Sequence, residues 1–340
     1  MNARRIVAAT ATGMVILLGS AGLTGCAVPV PQSTPEPEST TVYPVLDEGR
    51  LDRVLASVQT SLADADAALD PDLLPPRITE RAEAVRAAEY RLAKATKDDE
   101  EPYTPQPLGT DDVAAVVAAT EDWPRTVMVA TTPPAGSNAP RLLVLTQQEP
   151  RDDYSMVGWV RLLPGVSTPT VAASEIGVDP VAPDDPGLLI APDEVAAAYA
   201  ETVEKGDKAD SADLFADDIY RTALRDEVKA QQKSLEVAGT VKNKVTAQDG
   251  VAALATADGG AIVYAGLTST MTYERTVARS TMKVGSQYAA LNDGEDEVDE
   301  SITGSYLHMI AFYIPPADAG EDAQVSVLGA ERVLTKVTAK

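Results

Sequence analysis

Leu51, Val54, Leu55, Val58 and Leu62 recur at helical spacing, so residues 47–69 are predicted as an amphipathic helix. Pro71, Pro75 and Pro76 end it, and a second helix is expected over about 77–96, in RITERAEAVRAAEYRLAKAT. The polar run 97–101 closes that helix in a loop. The period then shortens. β-like runs follow at 126–131, 142–146 and 155–163, separated by turn sequences such as Pro133-Pro134-Ala135-Gly136 and Arg151-Asp152-Asp153. Residues 166–190 carry prolines and glycines at short intervals with little periodicity, and they read as an interdomain linker.

The same order of elements then returns. Pro192 stands at a first helical position, with Asp193 and Glu194 in the first turn and Gly206 at the end. Val195, Tyr199, Thr202 and Val203 share one face of that helix. Asp217 or Asp218 is placed to cap a longer helix reaching about Leu235, with Leu224, Val228 and Leu235 inside. Beyond Gly239 five or six strands are expected, among them 261–276, 279–288, 303–314 and 324–337. In the longest, Ala265, Leu267, Ser269, Met271 and Tyr273 lie on one face, and Gly266, Thr268, Thr270 and Thr272 on a solvent-tolerant one. Helices followed by antiparallel strands, twice over, predict an α+β protein of two tandem domains, 46–165 and 191–340. The first half has fewer and shorter strands, so the larger cavity is expected in the second.

The beginning of the chain has a different character. Arg4 and Arg5 precede an apolar run over 6–18 with small residues, and Leu23-Thr24-Gly25-Cys26 follows. A run this short with basic residues before it reads as a signal peptide, 1–25, rather than a spanning helix. The last four residues resemble the lipobox of bacterial lipoproteins, which implies a diacylglycerol on the Cys26 sulfur and cleavage just before it. Two acyl chains hold a protein stably where one is marginal. Cys26 is the only cysteine, so no disulfide is available and the body must stand on its cores. Residues 26–45 are rich in Pro, Ser, Thr and Glu, a stalk of up to roughly 60 Å at about 3.1 Å per residue.

Charge narrows the partners. The formal net charge is −24, and loss of Arg4 and Arg5 makes it −26. Such a surface repels phosphate backbones and anionic headgroups, which argues against nucleic acid as a partner. It suits a soluble body held off a membrane by a tether, at the extracytoplasmic face.

Helices followed by a long curved antiparallel sheet are similar to the nuclear transport factor-like, or SnoaL-like, cone fold. WPRTVMVA at 123–130, and the stretch from PDEVAAAYAETVEKG to LFADDIYRTALRDEV, resemble an actinobacterial envelope family defined as a domain of unknown function. The likeness covers about residues 46–338. It implies export and a membrane tether, and it assigns no catalytic residue.

Counting removes most chemistry. A single histidine excludes His-rich zinc sites and HExxH. Nucleotide-cradling glycine loops and the GxSxG elbow are absent. Ser280-Thr281-Met282-Lys283 has the SxxK form of penicillin-binding enzymes, but it lies in a β-like run without companion motifs, and a chance match is expected. The acidic run 293–300 offers oxygen ligands without EF-hand spacing, so a solvated loop is expected rather than a calcium site. Neither a metal nor a cofactor is expected.

One set of residues remains. Tyr306, His308 and Phe312 alternate onto the same face of a predicted strand, where they would line a ligand pocket if the sheet encloses one. His308 could then serve acid–base chemistry, although a half-buried histidine hydrogen-bonded in a sheet is the plainer expectation. Tyr199, Tyr220, Tyr264, Tyr288, Tyr306 and Tyr313 cluster in the second half, most of them expected in the core. The favoured function is therefore a non-enzymatic, membrane-tethered module that binds an envelope protein or a small ligand. The alternatives are a SnoaL-like enzyme around His308 and an accessory subunit of an envelope transporter or wall-synthesis complex.

Overall fold

The structure is a computed structural model that describes residues 42–340. The expected signal peptide, Cys26 and most of the stalk lie outside the described residues. The stalk's expected last residues do not stand free of the body. Pro44 bridges to Ala119, the Val45 amide donates to the Ala118 carbonyl at 2.9 Å, and Val45 and Leu46 are buried.

Helix α1 spans Glu48–Ala68, capped by the Asp47 carboxylate on the Arg50 amide and ending at Leu69 in the left-handed region. Its buried stripe is Leu51, Leu55, Val58, Leu62 and Ala65, the spacing read from the sequence. Helix α2 spans Glu80–Ala95, and four strands follow: β1 (Asp112–Val117), β2 (Arg125–Thr131), β3 (Arg141–Gln147) and β4 (Ser155–Leu162). The second half repeats the plan. Helix α3 (Pro192–Lys205) starts with proline in its first turn, and α4 (Ile219–Leu235) is capped by Asp218. Then come β5 (Gly239–Ala255), β6 (Ala261–Arg275), β7 (Met282–Lys283), α5 (Ser286–Ala290), β8 (Glu297–Val298), β9 (Ser301–Ile314) and β10 (Ser326–Ala339). The strand expected over 279–288 is instead the two-residue β7 followed by α5.

The long strands of both halves form one antiparallel sheet in the order β1-β2-β3-β4-β10-β9-β6-β5. Strands β4 and β10 join the halves through only two residue pairs, Gly329 with Leu162 and Ala330 with Arg161. Glycine is needed at this seam. A Cβ on Gly329 would sit 2.7 Å from Val160 Cγ2, and one on Gly158 would overlap the Tyr264 ring, whose hydroxyl donates to the Val157 carbonyl at 3.3 Å.

Each face of the sheet carries a core. Helices α1 and α2 cover one face, in a core with Met128 and Val144 and also with Ile262, Tyr264, Leu307 and Met309 of the second half. Helices α3 and α4 cover the other, where Val195, Tyr199, Val203 and Leu224 meet Val263, Ala265, Leu267, Ile310 and Phe312. Alternate residues of β6 and β9 thus point into different cores. The face of β6 expected to tolerate solvent is covered in part, with Gly266 buried beneath Arg81 and Thr268, Thr270 and Thr272 half-buried.

Segment 166–190 is stitched to both halves. Val178 exchanges backbone hydrogen bonds with Val117 and Ala119, while the Val181 amide donates to Ala253 and the Leu189 amide to Pro315. The described residues from 42 onward form one compact unit.

Candidate functional site

His308 is wholly buried on β9. Its Nδ1 lies 2.6 Å from the Tyr220 hydroxyl of α4, and its Nε2 lies 2.7 Å from Ser269 Oγ of β6. A neutral imidazole donates through one nitrogen and accepts through the other, and both neighbours are hydroxyls able to take either role. Burial, helped by the charge of Arg332, pushes the imidazole pKa down to about 3. The ring is therefore neutral at physiological pH, without the titration that acid–base work needs. Val203, Val245, Met271 and Asn243 pack around it, leaving a space of about 10 Å³, no more than a single water requires.

The other two expected pocket residues face the same side but meet different neighbours. Tyr306 lies beneath the Arg332 guanidinium, 3.7 Å from its ring centroid, and its hydroxyl donates to that of Tyr288 at 3.1 Å. Phe312 belongs to a core trio, 5.3 Å from Tyr199 and 6.4 Å from Phe215 between ring centroids. The strand alternation was legible; an open cavity behind it is not what these side chains enclose. Ser280 of the SxxK match donates to the Val277 carbonyl, in an irregular turn. Among the described residues no cluster of three or more His, Cys, Asp or Glu is gathered so as to hold a metal ion, the acidic run 293–300 included.

A second buried polar cluster fastens the loop after α2. The Arg86 guanidinium, 1% exposed, reaches Asp66 on α1, Glu89 one turn along and the Gln106 carbonyl. Glu89 accepts in addition from the Tyr103 hydroxyl at 3.1 Å and the Gln106 amide at 2.9 Å. Both of its oxygens are used. The cluster is a closed clamp, with no surface offered to a ligand.

The seam is different. Where β4 and β10 part, a groove of about 750 Å³ opens between residues 138–140, the strap 161–166, the first two turns of α4 and residues 330–332. Glu331 borders it by position in β10, but its pairing with Met309 turns its side chain to the α1/α2 face, where it is 3% exposed and its Oε2 has no hydrogen-bond partner. Its Oε1 has Arg161 Nη2 at 3.6 Å, beyond hydrogen-bonding reach, and the Arg332 amide at 3.4 Å. Burial raises the Glu331 pKa, Arg161 and Arg141 oppose that, and the nearby Glu89 carboxylate adds to it. Arg332, by contrast, is engaged, with its Nη1 on Glu227 at 2.5 Å.

The sequence reading missed this groove. Its walls come from four segments spread between residues 138 and 332, which the β4–β10 pairing assembles. One local signal existed: Glu331-Arg332 interrupts the apolar stretch 327–334 of β10, and a charged pair there demands a reason.

A family profile described as "Domain of unknown function (DUF8094)" matches residues 42–339. A protein of Streptomyces avermitilis printed as "Uncharacterized lipoprotein" is 25% identical over 307 residues, covering 86% of each chain. No solved structure matches. Among the described residues no helix is long and apolar enough to cross a membrane.

Proposed function

We propose, on the premise that this chain belongs to the DUF8094 family, that it is a lipid-anchored protein of the cell envelope whose body is a non-enzymatic ligand-binding module with its site in the seam groove. The anchor is supported by the Leu23-Thr24-Gly25-Cys26 sequence and by the lipoprotein name of the Streptomyces relative. The ligand site is supported by one observation above others: the seam opens a groove of small-molecule size, about 750 Å³, with apolar walls from α4 and the strap. An enzymatic role around His308 lacks that support, because the imidazole is sealed and neutral.

The repeated order of helix pair and four long strands supports reading the halves as two cone-like, SnoaL-like units joined edge to edge. Proteolytic nicking within 166–190 tests how they are joined. The halves are expected to remain associated through β4, β10 and the shared core, and release of two separately folded pieces would make them independent domains instead.

The functional reading is tested by native mass spectrometry of the mature protein purified from its own envelope. Two adducts are expected: a covalent diacylglyceryl mass lost in Cys26→Ala, and a non-covalent small molecule lost when Ala223→Trp fills the groove. Absence of the first removes the anchor. A non-covalent adduct indifferent to Ala223→Trp, or none from repeated preparations, removes the groove as the site.

A further inference from the structure

Away from the seam groove, one stretch of sheet carries side chains that neither core uses. On β5, Val241 and Val245 are buried while Lys242 and Lys244 between them are exposed. The strand registers carry that exposed side straight across four strands. Lys244 pairs with Thr270 of β6, Thr270 with Ser305 of β9, and Ser305 with Lys336 of β10. The neighbouring row is Lys242, Thr272, Thr303 and Thr338. Paired residues share a face, so these eight side chains stand together, and each is lysine, threonine or serine. Three gaps between strands, at about 4.8 Å each, set Lys244 roughly 14 Å from Lys336 with hydroxyls between them.

A bulge puts Lys336 in that row. Leu334 pairs with Tyr306 and Lys336 with Ser305, so Thr335 is the extra residue. Unbroken alternation would point Lys336 with Leu334 to the α4 side; the bulge turns it to the side of α2. There it meets Arg91 and Lys94 around an open depression of about 650 Å³, and Arg91 Nη2 donates to the Thr335 carbonyl at 2.9 Å. Among the described residues the lysines in ion pairs are Lys97, Lys205, Lys229 and Lys242, which leaves Lys94, Lys244 and Lys336 without one. The carboxylates nearby are Glu274, 3.0 Å from Lys242, and Asp293 at the rim of the depression. Five cations therefore stand against two carboxylates, in a chain whose net charge is −24.

Like charges gathered without counter-charges repel one another, and an anion laid among them relieves that repulsion. Ammonium groups at both ends of a row meet anionic groups, and the hydroxyls between accept or donate hydrogen bonds along the way. No aromatic side chain stands in either row, so the bases of a nucleic acid would find nothing to stack on. We propose that this face binds an extended polyanion, a chain of phosphate groups without bases, running across the strands from Lys244 over Thr270 and Ser305 to Lys336, Arg91 and Lys94. The acidic remainder of the surface confines such a chain to this face.

The test titrates the full-length lipoprotein, in a neutral detergent at low salt, with inorganic polyphosphate, with orthophosphate, and with a thymidylate oligomer of matched charge. Polyphosphate is expected to bind, more weakly as salt rises, and at least about tenfold more tightly than orthophosphate at equal phosphorus concentration. Lys244→Gln together with Lys336→Gln should weaken it about fivefold to tenfold, the scale of two exposed ion pairs. Lys205→Gln together with Lys229→Gln makes the same change of charge on α3 and α4, and should stay within about twofold, as should Ala223→Trp in the seam groove. Equal weakening by the α3 and α4 pair would reduce the effect to net charge and overturn the face. Orthophosphate binding as tightly as the chain would overturn the extended ligand, and tighter binding of the thymidylate would give the face to nucleic acid instead. Absence of polyphosphate binding at low salt would overturn the proposal outright.

Discussion

Glu89 and Glu331 are both carboxylates buried inside this protein, and their surroundings are opposite. Glu89 receives Arg86, the Tyr103 hydroxyl and the Gln106 amide, so each oxygen is used and the cluster holds a loop against α2. Glu331, turned toward the same α2 face, has one oxygen with no donor and a cation beyond hydrogen-bonding distance. Burial is unfavourable for any charge and is tolerated when hydrogen bonds replace the lost water. The first site meets that condition from within the chain. The second leaves one oxygen without that compensation. His308 belongs with Glu89: each ring nitrogen has a hydroxyl, and no room is left.

The contrast can be broken most sharply at the closed clamp. Arg86→Ala leaves Asp66 and Glu89 without their cation, and a loss of about 3–5 kcal/mol is expected in urea unfolding, as for other buried pairs deprived of one partner. An effect under about 1 kcal/mol would mean that the clamp is no firmer than a surface pair. The His308 network comes next. Its folded pKa of about 3 lies below the ordinary imidazole value, so its contribution is complete above about pH 6.5 and is lost as pH falls toward 3. Between pH 7 and pH 4 the wild type should lose roughly 3 kcal/mol more than His308→Gln, whose amide keeps a donor and an acceptor. Parallel pH profiles for the two proteins would show that the histidine is not the sensor.

Glu331 should behave in the opposite sense, with a smaller effect. Its pKa is raised by burial, so stability is favoured while it is protonated and declines as pH rises through that raised value. Glu331→Gln is expected to remove this decline and to be neutral or up to about 1 kcal/mol more stable at pH 7. A marked destabilisation would mean that the carboxylate has a structural partner after all. Smallest of all is Arg161→Gln, where a half-exposed guanidinium that makes no hydrogen bond to Glu331 is lost and the change in unfolding free energy should stay within about 1 kcal/mol.

Local signals account for most of what the sequence made legible. Helices α1, α3 and α4 appear where apolar spacing and end residues agree: Asp47 and Asp218 as caps, Pro192 in a first turn, Gly206 as a stop. Strands β2, β3, β4 and β6 follow their alternating or continuous apolar runs to within a residue or two. The failures are equally physical. Met282 to Ala290 has strand-like residues but no sheet edge to join, so it forms a two-residue bridge and a short helix. Strand β1 hides in Ala and Val, with a marginal alternation that pairing with β2 decides. The shared face of Tyr306, His308 and Phe312 was readable from a period of two. That Met271, Asn243 and Val245 would fill the space in front of His308 was not, because those residues lie on other strands. The groove required a pairing between Leu162 and Gly329, which no window of neighbouring residues contains.

The place of β10 in the sheet has a consequence for how the molecule comes into being. A ribosome delivers this strand after all the others described, yet it lies in the middle of the sheet, between β4 and β9. The core beneath α1 and α2 also waits for β6 and β9 before its apolar side chains are covered. Half of the chain must therefore remain unfinished, with greasy surface and a bare strand edge exposed, until the final segment arrives to close it. Contacts that span so much sequence form slowly, and the interval is when misassembly competes. For this protein, a chain that stops before Ser326 would be a fragment with its central strand missing rather than a shorter version of the whole.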